Sequence, residues 1–261
     1  MAYYVSGTTT TANDLITAIK TLAEANGWTI DNYTTGTYNR LHLHKGAQHV
    51  DMQATSATAF TLYGCTSYAS GSAYNAQPGS SASKAYTIIA STNYYIVSVA
   101  GGLYIVIAGA AYVQPLGFAT IQDKVGNWND GAVMIAPYSS GYILSWSTFL
   151  SQVYLNGAWS PTSGAGSLRG NGAETLFVNA QPNRYNATIV PVPVMMFVGL
   201  STDSTKHQPI GCIPGLYRCS GGDVYSPGDI ITIGSDDYLI VNGLTSGMAG
   251  TYGDYLFKLG A

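Results

Sequence analysis

The stretch RLHLHKGAQHVDM, residues 40–52, contains two runs of alternating apolar and polar residues around the turn-like segment KGAQ. Alternation of this kind indicates strands with one apolar face, so the stretch predicts an antiparallel β-hairpin. Pairing Leu43 with Val50 and Leu41 with Met52 places all four apolar side chains on one face. A slip of one residue would bury charge and expose the leucines, so the pattern also predicts the register.

The same register gathers polar side chains on the other face of the hairpin. It sets His44 opposite His49 and His42 opposite Asp51. Zinc accepts three histidines and a carboxylate, and these four residues are the ones that a metal would use. A polar strand face also serves as a solvated, hydrogen-bonded or interface surface, and zinc motifs such as HExxH are absent from the chain. We favour this second interpretation and expect no tight metal site and no cofactor.

The composition of the 261-residue chain is polar but poor in charge. Charged residues are 9% of the chain, against roughly 25% in an average soluble protein, and the net charge is −3. Abundant Tyr, Thr, Val and Ile favour strands, while Gly, Asn and Ser supply turns. The ten Lys and Arg residues are spread thinly, so no basic field is available to bind nucleic acid.

One helix is predicted, close to the N-terminus. Thr11 lies three residues before Asp14, as in a capping box, and Gly27 is placed to end the helix. An apolar stripe follows at helical spacing between them: Leu15, Ala18, Ile19, Leu22 and Ala23. We therefore expect a mostly β protein of the α+β class, with antiparallel β-sandwich or barrel-like sheets, one N-terminal helix and long polar loops.

Three regions differ in their pattern. Residues 1–140 combine the helix with a β-sheet domain, and residues 211–261 show the short strands of a small β subdomain. Residues 141–210 form a loop-rich connecting region with an apolar strand, in which Pro191 and Pro193 disfavour a central position in a sheet. The three regions fold as one or two compact units.

The most apolar run, YYIVSVAGGLYIVIAGAAYV (94–113), carries Gly101 and Gly102 at its centre. Two strands around a turn fit it better than a transmembrane helix, which needs about 20 unbroken apolar residues, so we expect no membrane insertion. Because the predicted hairpin is apolar on both faces, the helix, a second sheet or a neighbouring subunit must cover each face. We expect part of it, with Ile105 and Ile107, to contact other copies.

A long polar loop, CTSYASGSAYNAQPGSSASK (65–84), follows the histidine hairpin and one further strand. Loops beyond about 15 residues are usually functional or mobile. Tyr68 and Tyr74 make this one a candidate contact surface, and a plain ordered surface loop is the alternative.

Catalytic groups are scarce. The only glutamates are Glu24 and Glu174, and Asp236 and Asp237 are neighbours whose side chains point to opposite faces of a predicted strand. The chain has no GxSxG elbow, P-loop or calcium loop. We therefore expect no enzymatic activity.

The three cysteines cannot all pair with one another. Cys212 and Cys219 can close a short loop, but nothing in their spacing indicates a disulfide framework, and free thiols are favoured. Cys65 has no marked partner histidine, and we expect it to be a small buried apolar residue.

Several segments resemble, in the same order, segments of tailed-bacteriophage tail and virion structural proteins: ANGWTID (25–31), LHLHKGAQHVDMQA (41–54), SGSAYNAQPGSS (70–81), GFATIQDKVGNWNDGA (117–132), GDIITIGSDDYLIV (228–241) and TYGDYLFKL (251–259). The resemblance implies an assembly component of the neck, collar or baseplate, located in the virion after assembly in the bacterial host cytoplasm. It implies other virion proteins and copies of the chain itself as partners, and no catalytic residues. A receptor- or glycan-binding module of the tail is the alternative function, and a small hydrolase is a third.

Overall fold

The computed structural model describes residues 3–81, 83–88, 92–109, 112–127, 129–135, 152–160, 168–170, 191–200, 203–219, 228–241 and 254–260. Within these ranges the protein is mostly β, with three antiparallel sheets and one α-helix near the N-terminus. The predicted fold class is therefore confirmed.

The helix α1 (Ala12–Ala25) follows the first strand, β1 (Tyr4–Thr9). Thr11 is its N-cap, and the Thr11 hydroxyl accepts a hydrogen bond of 3.1 Å from the backbone N–H of Asp14. Gly27, one residue after the C-cap Asn26, has a φ of +79°. The predicted start and stop are both confirmed. No helix in the described part of the chain is long and apolar enough to cross a membrane.

The histidine hairpin belongs to a five-stranded meander in which each strand pairs with the next. Its strands are β2 (Thr29–Thr34), β3 (Arg40–Lys45), β4 (Gln48–Ala54), β5 (Ala59–Cys65) and β6 (Lys84–Thr87). Leu43 pairs with Val50 and Leu41 with Met52, so the predicted register is confirmed. All four of these side chains are buried against α1 and the rest of the core.

The other two sheets lie behind the meander. The central sheet has the order β1-β7-β8-β9-β10-β11-β12, with β7 (Thr92–Val99), β8 (Gly102–Gly109), β9 (Tyr112–Thr120), β10 (Asp130–Ile135), β11 (Gln152–Leu155) and β12 (Ala158–Ser160). The third has the order β13-β14-β15-β18-β17-β16, with β13 (Leu168–Gly170), β14 (Val192–Leu200), β15 (Asp203–Cys219), β16 (Ile230–Ile233), β17 (Asp236–Val241) and β18 (Asp254–Leu259).

The central sheet separates two apolar cores. One face packs against α1 and the meander, and the opposite face packs against the third sheet. The β7–β8 hairpin contributes to both, since Ile96 and Ile105 point into the first core while Val97 and Val106 point into the second. The apolar run is thus a hairpin through residues 94–109, as predicted, and the chain itself covers both faces of that hairpin.

The predicted contacts of Ile105 and Ile107 with other copies are wrong. Both side chains are 0% exposed and lie in the core between the central sheet and the meander. The sequence shows that this hairpin is apolar on both faces, but it does not show that α1 and two sheets of the same chain supply the cover.

Two further expectations are corrected by the sheet order. Among the described strands β14 is not at an edge, because it lies between β13 and β15. Pro193 is tolerated there because it lies beside a β-bulge, and β13 pairs only with residues 196–198 of β14. The sheets also cross the expected domain boundaries: β11 and β12 join the central sheet, and the boundary at 210/211 falls inside β15.

Candidate functional site

The polar face of the β3–β4 hairpin is covered by protein. His42 is 3% exposed and Asp51 is 2% exposed. The loop after β5 folds back over them, and Tyr68 and Gln77 line a small cavity together with both residues. The expectation of a solvated face is therefore wrong at His42 and Asp51, because the long loop that follows the hairpin excludes water from them.

The covering loop is held in place by its own hydrogen bonds. The buried side chain of Gln77 accepts a bond of 2.8 Å from the backbone N–H of Ala69 and donates one of 3.2 Å to the carbonyl of Ser72. The backbone N–H of Thr66 donates to the carbonyl of Pro78 at 2.9 Å, which closes the base of the loop. The described residues of this loop are therefore ordered by contacts within the chain.

Both loop tyrosines lie half-buried against the hairpin's own sheet. The Tyr68 ring is tilted against the His42 ring with 4.7 Å between centroids. Tyr74, in a short 3-10 helix (Tyr74–Ala76), meets the edge of Tyr63 at 5.6 Å and lies near the guanidinium of Arg40. Their role as contacts with other copies stays a prediction.

Asp51 fixes the orientation of the His42 ring. One carboxylate oxygen, Oδ1, lies 2.5 Å from His42 Nδ1, and the other, Oδ2, accepts a hydrogen bond of 3.2 Å from the thiol of Cys65. An ionised carboxylate can only accept, so this bond places a proton on Nδ1 of His42, and the neutral ring then has its lone pair on Nε2. The predicted pairing of His42 with Asp51 thus becomes a buried hydrogen bond that aims Nε2 away from the core.

Nitrogen and oxygen atoms of two other side chains lie close to Nε2 of His42, and all three atoms are of the kind that bind metals. Its Nε2 lies 3.3 Å from Nδ1 of His49 and 3.5 Å from Oδ2 of Asp31. The same Asp31 oxygen lies 2.7 Å from Nδ1 of His44, and the rings of His44 and His49 are stacked at 4.6 Å. The structure therefore brings together all four predicted residues and adds Asp31.

Asp31 reaches the site through a β-bulge in β2. Ile30 pairs with Leu43 and Asn32 pairs with His42, so Asp31 is the extra residue between them. A bulge puts two residues of one strand opposite one residue of the next and commonly re-aims a side chain near a functional site. Asp31 thereby faces the histidines from a strand that the sequence pattern did not connect with them.

The environment keeps His49 neutral and Cys65 protonated. Burial lowers the pKa of His49, and the neighbouring His44 and His42 lower it further, while Asp31 and Asp51 oppose the shift in part. Burial, together with the adjacent Asp51 carboxylate, raises the pKa of the Cys65 thiol far above its ordinary value. His49 can therefore offer a lone pair near neutral pH, whereas Cys65 is a poor nucleophile.

Cys65 is buried, as expected, but it has a polar partner that the sequence analysis missed. It pairs with His49 across β4 and β5, and so lies on the polar face of the hairpin sheet. The signal was available in the alternation of residues 59–65, which places Phe60 and Leu62 in the core and Cys65 on the opposite face. For Asp31, strand pairing indicates the correct face, but nothing in the sequence indicates the bulge.

The acidic residues weighed as catalytic candidates, Glu24, Asp236 and Asp237, have structural partners. Asp236 pairs with Lys258 at 2.8 Å, and Asp237 accepts from Thr232 at 2.7 Å, so the two do not act on one point. Glu24 pairs with Lys20 on the surface of α1. The other glutamate, Glu174, lies outside the described residues.

Cys212 is a free thiol. Cys212 pairs with Met195 of β14, and Arg218, next to Cys219, pairs with Val192, which is three residues or roughly 10 Å away along β14. A disulfide needs Cα atoms within about 7 Å, so the strand pairing agrees with the expected free thiols.

Comparison with known proteins gives no assignment. No protein-family model matches the chain, and no curated protein is significantly similar to it. A function must therefore be argued from the residues and from the resemblance of the individual segments.

Proposed function

We propose that this protein is a structural component of a tailed-bacteriophage virion, which assembles through tyrosine- and glycine-rich β surfaces in the neck, collar or baseplate of the tail. The observation that carries the proposal is the ordered resemblance of six segments to tail and virion structural proteins. Those segments fall on all three sheets, including the β3–β4 and β16–β17 hairpins. The resemblance therefore covers the framework of the fold and is not confined to one peripheral motif.

The surroundings of Cys65 do not support catalysis by its thiol. The Cys65 thiol donates to Asp51, and Asp51 separates it from His42, so the imidazole is not placed to take the thiol proton. The raised pKa of Cys65 keeps the thiol protonated, which makes it a poor nucleophile. A cysteine nucleophile needs an adjacent base and a lowered pKa, so this arrangement gives no support to a hydrolase that uses the Cys65 thiol.

The cavity beneath the loop bears on the binding-module alternative. It has a volume of about 70 Å³ and is lined by Arg40, Tyr68 and Tyr74 among others. Pockets for small ligands usually span about 300–1,000 Å³, so this one is too small to enclose a sugar. Receptor or glycan binding by this site is therefore the weaker proposal.

Particle composition tests the proposed role. We expect a C-terminally tagged copy of the chain, expressed in infected host cells, to co-purify with phage particles through a density gradient at a constant ratio to the capsid protein. A tagged host protein of similar mass, expressed in parallel, is the control for trapping. Absence of the tagged and the untagged chain from purified particles would contradict the proposal, and binding of the free chain to host-surface glycan would favour the alternative.

A second test changes exposed apolar side chains and measures incorporation of the variants into particles. The largest exposed apolar side chains in the described residues include Tyr38 (41%) and Ile230 (45%). We expect Tyr38→Ser or Ile230→Ser to lower incorporation into particles if those surfaces contact neighbours. Thr37→Ser, at an exposed adjacent position, is the matched control, and thermal melting verifies that each variant is folded.

A further inference from the structure

Asp31, His42 and His49 converge with the geometry of a cation site. With the His42 proton held by Asp51, the lone pair of His42 Nε2 faces a carboxylate oxygen of Asp31 at 3.5 Å and a ring nitrogen of His49 at 3.3 Å. Electron-rich atoms at these distances repel one another unless a proton or a metal ion lies among them. A ring N–H of His49 can bridge the two histidines, and His44 lies 2.7 Å from the Asp31 oxygen, whereas a metal ion would bind all three atoms at once.

The separations also match those of metal ligands. The three atoms lie within 4.8 Å of one another. Around a tetrahedral zinc ion with bonds of about 2.0–2.1 Å, neighbouring ligand atoms are roughly 3.3 Å apart. The two distances from His42 Nε2 are within about 0.2 Å of that value, a small adjustment for side chains on adjacent strands.

The surroundings of His42 are those of a metal-binding histidine. Such histidines nearly always donate their second ring N–H to a carboxylate or carbonyl, which fixes the tautomer and makes the other nitrogen a better ligand. Asp51 has this role here, and it is itself buried and held by Cys65. The bulge that brings in Asp31 supplies the third ligand from a separate strand.

We propose that Asp31, His42 and His49 bind a divalent transition-metal ion, with zinc as the first candidate, and that Asp51 is the positioning residue that orients His42. Two imidazoles and one carboxylate are ligands that zinc accepts, and three protein ligands leave a position for water. The site reverses our expectation from the sequence, which did not include Asp31 or the burial of His42. It goes beyond the proposed virion role and does not depend on it.

Titration of the chelator-washed full-length protein with Co²⁺ and Zn²⁺ tests the site. We expect one ion per chain, visible Co²⁺ absorption bands of a tetrahedral or five-coordinate site, and loss of those bands when Zn²⁺ is added. Binding should raise the melting temperature of the protein. Wild-type protein that takes up neither ion would overturn the proposal and leave hydrogen bonds as the links among these side chains.

Four variants separate this site from adventitious binding by histidine. Asp31→Asn and His49→Gln remove one ligand each with little change in shape, and both should abolish the Co²⁺ bands. Asp51→Asn keeps all three ligands and should weaken binding by roughly 10- to 100-fold, the usual effect of losing such a partner. His207→Ala removes the one histidine outside the hairpin, on β15 of the third sheet, and should bind as wild type.

The variants are interpretable even if one of them does not fold. Thermal melting in chelator establishes which variants are folded, and Asp31→Asn alone suffices to decide, because Asp31 is only half-buried and lies on the surface strand β2. Unchanged uptake in folded Asp31→Asn and His49→Gln, or an equal loss in His207→Ala, would refute the assignment.

Discussion

The hairpins β3–β4 and β7–β8 both have buried residues on each face, but the buried side chains differ in kind. In both, the two faces are buried within the chain. The β7–β8 hairpin is apolar on both faces and lies between the two cores. The β3–β4 hairpin is apolar only toward α1, and its other face buries His42 and Asp51 beneath a loop. Sequence shows what each face is made of, whereas what covers it depends on elements far away in the chain.

The largest effect is expected from a charge placed in the β7–β8 hairpin. Ile105→Asp should prevent folding, because an unpaired carboxylate at a position with 0% exposure costs on the order of 4–5 kcal/mol or more. Soluble yield and urea denaturation measure the effect. Ile230→Asp, at a position that is 45% exposed, should change stability by less than about 0.5 kcal/mol. A stable Ile105→Asp monomer would restore the view that this face contacts other copies.

A smaller effect is expected at the polar face of the β3–β4 hairpin. Asp51→Asn should lower the free energy of unfolding by about 1.5–3 kcal/mol, because His42 and Cys65 both donate to this carboxylate. Urea denaturation in the presence of chelator isolates the fold from metal binding. Asp237→Asn, which alters an exposed bond to Thr232, is the control. Equal stabilities of the two variants would mean that the polar network does not stabilise the hairpin.

Two buried tyrosines test whether hydrogen bonding decides the cost of a buried polar group. The Tyr104 hydroxyl donates to the carbonyl of Pro214 at 2.5 Å, whereas the Tyr86 hydroxyl has no partner among the described residues. Both side chains are 1% exposed. Tyr104→Phe should cost about 1–2 kcal/mol, and Tyr86→Phe should be neutral or stabilising. The ranking of their urea midpoints gives the result, and a reversed order would show that packing dominates at these positions.

The smallest effect concerns the Cys65 thiol. Because its pKa is raised in the fold, the unfolded chain ionises first as pH rises above about 8.5, so Cys65 lowers stability there by at most about 1.4 kcal/mol per pH unit. At pH 8 we expect Cys65 to resist alkylation in the folded protein and to react in urea. Mass spectrometry of the labelled peptides gives the site. Half-buried Cys212 should react sooner, and faster labelling of Cys65 would contradict its burial.

The apolar parts of the fold follow from the sequence because local patterns specify them. The stripe between Thr11 and Gly27 predicts the helix, and alternation in residues 40–52 predicts both strands and their register. These features need only period and turn chemistry, which neighbouring residues supply. The four polar residues of the candidate site were therefore placed on one face correctly.

The rest of the site depends on contacts that local patterns do not encode. Asp31 enters through a bulge in the adjacent strand, and the cover over His42 comes from Tyr68 and Gln77 in a later loop. Neither the bulge nor the fold of a 20-residue polar loop has a periodic signature. Burial changes the chemistry of the face, so a surface that alternation alone describes as polar becomes a candidate ion site.

The pairing of β1 with β7 sets an order of events during synthesis. Between Thr9 and Thr92 lie 82 residues, which contain α1 and the entire meander. Hairpins between consecutive strands close short loops and form quickly, whereas joining distant strands carries the entropy cost of a long loop. A nascent chain can therefore complete the meander before β1 pairs with β7. β1 therefore leaves the ribosome before every strand of the meander but joins its own sheet after the meander has formed.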